Sequence, residues 1–330
     1  MKQKKCILVI RFSSMGDVAM GVPVVREFLQ QNKGVELVFV SQRQFAPMFD
    51  SIPGLNFIGV DLNDYKGLSG LYRLSKELNK TDFEAVADLH NVLRTKIIRK
   101  FLKSNKVAVL DKGRKERRAL IRQKNKIRKQ LRPMPERYAD VFRKLGFELR
   151  LSNRLKNNAV RENAVGIAPF ALYEGKTYPL EQMKIVALKT AEKGTKVYLF
   201  GSKQENEQLK DWEQLHPNIV SVAGKYNLKK ELEIMSGLKL MVSMDSANMH
   251  LASMVGTRTI SIWGNTHPFM GFLGYGQQYI DVIQDETMEE RPVSVFGREN
   301  TRSVEKDFFK NISPELIISR IEKYLNKNTD

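Results

Sequence analysis

Asp17 is the side chain in this sequence best placed to do chemistry. It lies between Ile7 and Pro23, where the apolar run ILVIRF passes through the polar turn SSMG into the helical pattern DVAMGVP. Gly16 allows a tight turn after the strand, and Asp17 falls in the first turn of a helix that continues through VPVVREFLQQ. A carboxylate held there is ionised near neutral pH and can accept a proton from a hydroxyl as that hydroxyl attacks an electrophile. Acidic residues at helix starts are also favoured by the helix dipole and its unpaired amides, so the position has an architectural reading too. A second constellation is KLMVSMDSANMHLASMVG, in which Asp245 ends a buried strand and Ser246, Ala247 and Asn248 offer N–H groups at the start of a small-residue helix. Such a terminus suits a pyrophosphate, although without a GxGxxG pattern it is equally ordinary α/β architecture. Lys176, in IAPFALYEGKTYPLEQM, can reach a phosphate as a point charge, with Pro179 opening the next helix. His90 and His250 stand at strand or helix ends, where each has a structural reading beside a functional one. The four histidines and the single cysteine make no HExxH, no CxxC and no pair at metal-ligand spacing.

The elements that must position these groups follow a βαβ rhythm. In the first half the apolar β-rich runs are CILVIRF, VELVFVS, LNFIGVD, FEAVADLH and KVAVLD; in the second they are AVGIAPF, KVYLFGS, IVSVAG, KLMVSMD and RTISIWG. Several are continuous rather than alternating, as parallel strands buried on both faces require. Two successive doubly wound α/β sheets are therefore expected, facing a central cleft. The boundary is expected near Val160, in the polar stretch Arg150–Arg161, which gives domains 1–159 and 160–330. Asp285–Phe309 reads as irregular, and a final helix over 312–326, opened by Ser313 and Pro314, is expected to be able to pack back on the first domain.

Composition excludes several classes. At 330 residues and 42% hydrophobic the chain can bury ample core. No run of 18 apolar residues occurs, and MKQKK leads directly into a strand rather than a signal-peptide core, so a cytoplasmic protein is expected. Cys6, alone in an apolar strand, is read as core filler. The net charge of +18 is concentrated: Lys96 to Arg132 holds 16 Lys or Arg against Asp111 and Glu116, while the remainder carries 39 basic and 35 acidic residues. Such a block attracts an anionic membrane face, a phosphorylated glycolipid or a nucleic acid by the same Coulomb interaction, or is simply a solvated face. Phe101 is its single aromatic, too few for base stacking, so no nucleic-acid partner is expected.

Taken in order, the motifs resemble glycosyltransferase family 9, the heptosyltransferase family of lipopolysaccharide core assembly. RFSSMGDVAMGVPVVREF resembles the family's strand, Ser-Ser-x-Gly-Asp turn and helix; ADLHNVLRT its Asp-x-Gln-Gly-x-x-Lys/Arg-Ser/Thr segment; EGKTYP its Lys-x-Trp-Pro; GSKQE its Gly-x-x-x-Glu; DSANMHLA and WGNTHP its Asp-Thr-Gly-x-x-His and Gly-x-Thr-x-Pro pair. The resemblance covers most of the chain and implies a GT-B fold with acceptor on the N-terminal and nucleotide sugar on the C-terminal domain. It makes Asp17 the general base of an inverting transfer, with Ser13, Ser14, Gly16, His90 and Arg94 on the acceptor side. It puts Lys176 on the donor diphosphate or sugar, Glu205 on the ribose, Tyr226 against the nucleobase, Asp245 on the donor sugar, the Ser246 and Ala247 amides on phosphate, and His250 on the donor side. It also implies an ADP-heptose donor, no cofactor and no divalent metal, and a monomer working on a phosphorylated glycolipid, held at the inner membrane surface through Lys96–Arg132. The sequence departs from the pattern where Ala247 replaces Gly, Tyr178 replaces Trp, and His90–Asn91 replace Gln–Gly. A nucleotide-sugar epimerase or hydrolase of the same fold, or a member that only binds, is the alternative.

Overall fold

The computed structural model describes residues 5–157, 159–298 and 306–326. In chain order they form β1 (Lys5–Ile10), α1 (Met15–Gln31), β2 (Val35–Gln42), β3 (Leu55–Val60), α2 (Gly67–Leu78), β4 (Ala85–Asp88), α3 (Leu93–Lys100), β5 (Lys106–Val109), α4 (Arg114–Leu120) and α5 (Met134–Lys144). The second half continues with β6 (Glu162–Ala168), α6 (Leu180–Glu192), β7 (Lys196–Leu199), α7 (Asn206–Glu213), β8 (Ile219–Ser221), α8 (Leu228–Gly237), β9 (Leu238–Met244), α9 (Ala247–Met254), β10 (Thr259–Trp263), β11 (Val282–Gln284) and α10 (Pro314–Leu325). All ten apolar runs are strands. β11 was not among them, because its three residues VIQ hold only two apolar side chains between Asp281 and Asp285.

The chain divides into two compact units, 1–112 with 134–152, and 113–133 with 153–330. In the first, five parallel strands lie in the order β3-β2-β1-β4-β5. The chain runs outward from β1 through β2 to β3 and then returns to β4 on the other side of β1, so the strand order reverses between β1 and β4. Open α/β sheets hold their ligands beyond the carboxyl ends of strands at such a point. Leu8 and Ile10 of β1 are fully buried with Val38 and Val40 of β2 and Val86 of β4, as a continuous apolar strand requires. α1 packs on α5 through Phe28 and Phe142, whose rings stack with centroids 4.4 Å apart.

In the second unit six parallel strands lie in the order β11-β10-β9-β6-β7-β8, and the reversal falls between β6 and β9. α10 belongs to this unit, with Ile317 and Ile321 in its core beside Val186 and Ala187 of α6. The last helix thus supplies part of the second unit's core. The passage at 152/153 falls inside the polar stretch expected to hold the boundary, though before 159/160.

The expected boundary at 159/160 would put the whole basic block in the first domain, but Lys96–Lys112 belongs to the first unit and Gly113–Arg132 to the second. Leu120 and Leu131 are buried with Met270, the Leu131 amide donates to the Phe269 carbonyl at 2.9 Å, and the Arg117 guanidinium lies 4.3 Å from the Phe272 ring centroid. Two leucines spaced along an otherwise charged stretch are what tie it there. Of the segment expected to be irregular, Asp285–Arg298 contains no regular element, and 299–305 lie outside the described residues.

Candidate functional site

The first unit gathers its chemistry-bearing groups beyond β1 and β4. Ser14 caps α1, and its amide and hydroxyl donate to Asp17 Oδ2 at 3.3 and 2.8 Å. The same oxygen lies 2.7 Å from an Arg11 guanidinium nitrogen, and the Tyr138 hydroxyl is 3.4 Å from Oδ1. Asp17 keeps 26% of its side chain exposed, so it is both a cap and an accessible carboxylate. Arg11 is buried, donates to the Leu89 carbonyl and lies 5.5 Å over the Tyr138 ring. That charge-assisted pair fixes the orientation of the carboxylate.

His90 follows β4 and is buried. Its Nδ1 accepts from the Phe12 amide at 3.4 Å, and Asp88 Oδ1 accepts from the His90 and Asn91 amides at 2.9 and 2.8 Å. Burial, reinforced by Arg11, Lys112 and Arg94, pushes the imidazole down to about 3 against a weaker opposing pull from Asp17. It is therefore neutral at physiological pH, with its remaining proton on Nε2. Asn91 takes φ +47, a left-handed conformation that asparagine tolerates better than most side chains. This explains how Asn stands where the family pattern has Gly. Arg94 is exposed in the first turn of α3, Ser13 is half-buried, and Gly16 is buried in α1.

In the second unit the loops after β6 and β9 meet. Lys176 Nζ lies 3.0 Å from Asp245 Oδ2, with only 12% and 9% of the two side chains exposed. A buried pair of this kind must satisfy itself, since either charge alone is costly. Thr266 Oγ1 donates to the same carboxylate oxygen at 2.8 Å. The Lys176 loop and the loop after β10 are joined by the Asn265 amide donating to the Gly175 carbonyl at 2.8 Å, and a Cβ on Gly175 would lie 2.2 Å from Asn265 Nδ2, which explains the glycine. Ser246 caps α9, and Ala247 begins it in helical conformation, so the Gly-to-Ala change costs no left-handed angle. His250 is buried one turn into α9. The first amides of α9, beside the Lys176 ammonium, are donors left without helical partners.

Glu205 and Tyr226 lie at the ends of β7 and β8, one and two strands out from β6. Glu205 Oε2 accepts from the Ser202 amide at 2.6 Å, and Tyr226 is 48% exposed. Their loops touch: a Cβ on Gly224 would lie 2.8 Å from the Lys203 Cα. Tyr178 is a core residue, its amide donating to Met244 Sδ at 3.3 Å and its hydroxyl 2.8 Å from the Ile312 carbonyl.

Three residues of these sites were not singled out from the sequence, Arg11, Tyr138 and Arg291, and Thr266 entered only as the Thr of the Gly-x-Thr-x-Pro resemblance. Arg11 had a signal, a charge at the end of the apolar run ILVI. Arg291 had none. It is 1% exposed and donates to the carbonyls of Trp263, Gly264, Thr266 and Asp285 at 3.0, 2.5, 2.9 and 3.0 Å, and to Gln284 Oε1 at 3.1 Å. Burial lowers it to about 10, which leaves it charged near neutral pH.

Comparison with known proteins places this geometry in context. Residues 71–295 match the family model described as glycosyltransferase family 9 (heptosyltransferase). The chain is 23% identical, over 80% of each sequence, to the lipopolysaccharide core heptosyltransferase OpsX of Haemophilus influenzae. Its fold is similar to that of a glycosyl transferase family 9 protein from Veillonella parvula, with TM-score 0.74, 19% identity and 98% of each chain covered. It is also similar to that of the E. coli heptosyltransferase WaaC with ADP-2-deoxy-2-fluoro heptose, with TM-score 0.71, 16% identity, and 96% of this chain and 99% of that one covered. The fold is therefore GT-B, two parallel-sheet α/β domains.

Proposed function

Because the chain belongs to glycosyltransferase family 9, we propose that it moves a heptose from an ADP-linked donor to a hydroxyl of a phosphorylated glycolipid, with inversion at the anomeric carbon. One observation carries this reading: at the strand reversal of each sheet stands the kind of charged group that such a transfer needs, Asp17 in one and Lys176–Asp245 in the other. The first unit binds the acceptor and the second the nucleotide sugar.

Asp17 accepts the proton of the acceptor hydroxyl while the hydroxyl oxygen bonds to the anomeric carbon and the bond from that carbon to the diphosphate oxygen breaks. Arg11 and Ser14 hold Oδ2 and so orient the carboxylate. Neutral His90, with Nε2–H as a donor, orients the acceptor together with Ser13, Ser14, the turn at Gly16 and Arg94. On the donor side Lys176 and the Ser246 and Ala247 amides stabilise the negative charge that grows on the leaving diphosphate, and they cost little reorganisation because they are already aimed. Asp245, fixed by Lys176 and Thr266, binds hydroxyls of the donor sugar, with His250 beside it on α9. Glu205 takes the ribose and the exposed face of Tyr226 stacks on the adenine. The basic residues of Lys96–Arg132 hold the protein at an anionic membrane surface, where the acceptor lies. Among the described residues no helix is long and apolar enough to cross a membrane.

Replacing Asp17 tests the mechanism. Asp17→Asn is expected to lower transfer by about two to four orders of magnitude, the range of general-base catalysis, with ADP affinity near wild type. Turnover close to wild type would remove Asp17 from the mechanism. Donor consumed at full rate with no acceptor present would instead identify a hydrolase.

A further inference from the structure

The outward face of α2 carries apolar side chains that the fold does not use. Its inward row, Leu71, Leu74 and Leu78, is buried in the first unit's core, as an amphipathic helix requires. A second row, Leu68, Tyr72 and Lys76, runs at four-residue spacing along an exposed flank of the helix. Leu68 is 69% exposed and Tyr72 42%. The row continues onto the end of α3: the Tyr72 and Phe101 rings meet edge to face with centroids 5.0 Å apart, and Phe101 is 43% exposed. This corner is held firmly, since Asn79 Nδ2 donates to the Phe101 carbonyl at 2.8 Å and Asn79 Oδ1 accepts from the Lys103 amide at 3.0 Å. Exposed Lys100 and Lys103 flank Phe101, and Lys76 Nζ lies 4.9 Å from the centre of the Tyr72 ring. Leu93–Lys106 carries six basic residues and no acid.

We propose that this corner of α2 and α3 docks on an anionic phospholipid bilayer, with Leu68, Tyr72 and Phe101 entering the headgroup boundary and Lys76, Lys100 and Lys103 meeting lipid phosphates. Exposed aromatic rings with lysines whose stems lie along the apolar surface are suited to an interface that is oily on one side and negatively charged on the other. A protein partner fits less well, because the cores of protein interfaces are depleted in lysine. Single-stranded nucleic acid needs open ring faces, and here Lys76 lies over one ring while the two rings meet each other. The proposal deepens the membrane part of the proposed function and shifts its weight: two of the three apolar contacts, Leu68 and Tyr72, lie outside the basic block.

Co-sedimentation of the full chain with vesicles tests it. Binding to phosphatidylglycerol–phosphatidylcholine vesicles is expected to fall as salt rises and to be weak on phosphatidylcholine alone. At about 1 kcal/mol per lysine, roughly fivefold each, the triple variant Lys76→Glu, Lys100→Glu, Lys103→Glu is expected to bind at least about 50-fold more weakly. Tyr72→Ser with Phe101→Ser is expected to bind about tenfold more weakly at unchanged charge. All five positions are exposed, and an unchanged circular dichroism spectrum shows that each variant folds. Wild-type binding that ignores anionic lipid, no binding at all, or full binding by the triple variant with loss only when Arg114, Lys115, Arg118 and Arg122 are reversed would each overturn the proposal. Transfer to a water-soluble acceptor is measured in parallel: its retention in the triple variant separates a failed docking surface from a failed transferase reading.

Discussion

In the proposed mechanism Asp17 combines two roles that a sequence presents as rivals. It caps α1 through Ser14 and pairs with Arg11, yet a quarter of the side chain stays exposed at the strand reversal. Ser14 and Arg11 both hold Oδ2, so in the proposed mechanism capping orients the carboxylate rather than competing with its chemistry. In the proposed mechanism His90 acts as a neutral donor, because burial and its cationic neighbours keep it unprotonated down to about pH 3. The pH profile of transfer between pH 5 and 8 is therefore expected to have the same shape in His90→Asn as in the wild type, at reduced height; a limb that vanishes with His90 would show that this imidazole titrates. The same shift has a stability consequence. His90 and His267 are held near 3 in the fold, chiefly by burial, whereas an unfolded imidazole takes up its proton near 6.5. The unfolded state binds more protons as pH falls from about 6.5 toward 3, so stability is lost across that window, by about 2 kcal/mol per histidine at pH 5. Urea unfolding at pH 5 and 7.5 checks this, and His90→Asn is expected to narrow the gap between the two.

Among the elements, the strands and their carboxyl ends were legible and the props behind them were not. Continuous apolar runs marked ten strands because burial on both faces leaves a composition signal in the run itself. Asp17, Lys176 and Asp245 stood out because each lies in the turn or loop that follows such a run. Arg291 has no such signal, since its neighbours EERPVSV show no period and its partners are main-chain carbonyls that any sequence supplies. It ties together the backbone of the loop carrying Thr266, which in turn holds Asp245. Arg291→Met is expected to destabilise by about 3–5 kcal/mol, because several buried carbonyls lose their donor. Thr266→Val keeps the volume and removes one bond to the carboxylate; it is expected to raise the donor KM severalfold with a smaller change in kcat, as steady-state kinetics would show. An equal effect on both kinetic constants would make Thr266 a transition-state contact instead.

For the whole molecule, the proposed division of labour between units makes a spatial prediction. ADP binding is expected to slow amide exchange in the second unit, at residues 174–177, 201–205, 223–227 and 245–250, as ligation stabilises the bound state. Protection centred on 11–17 and 88–92 would place the nucleotide in the first unit and reverse the assignment. The order of motifs along the chain, the two parallel sheets and the residues at their strand ends were determined by the sequence itself, because each is written in a stretch of fewer than about 20 residues whose period or turn chemistry is local. Only the tertiary structure decided that Tyr138 stands beside Asp17, 121 positions away, that Thr266 holds Asp245, that Gly113–Arg132 belongs with the second half of the chain, and that α10 completes the core of that unit. Those contacts arise from where buried apolar side chains and unpaired polar groups find partners, and partners separated by tens or hundreds of residues leave no pattern in either local segment.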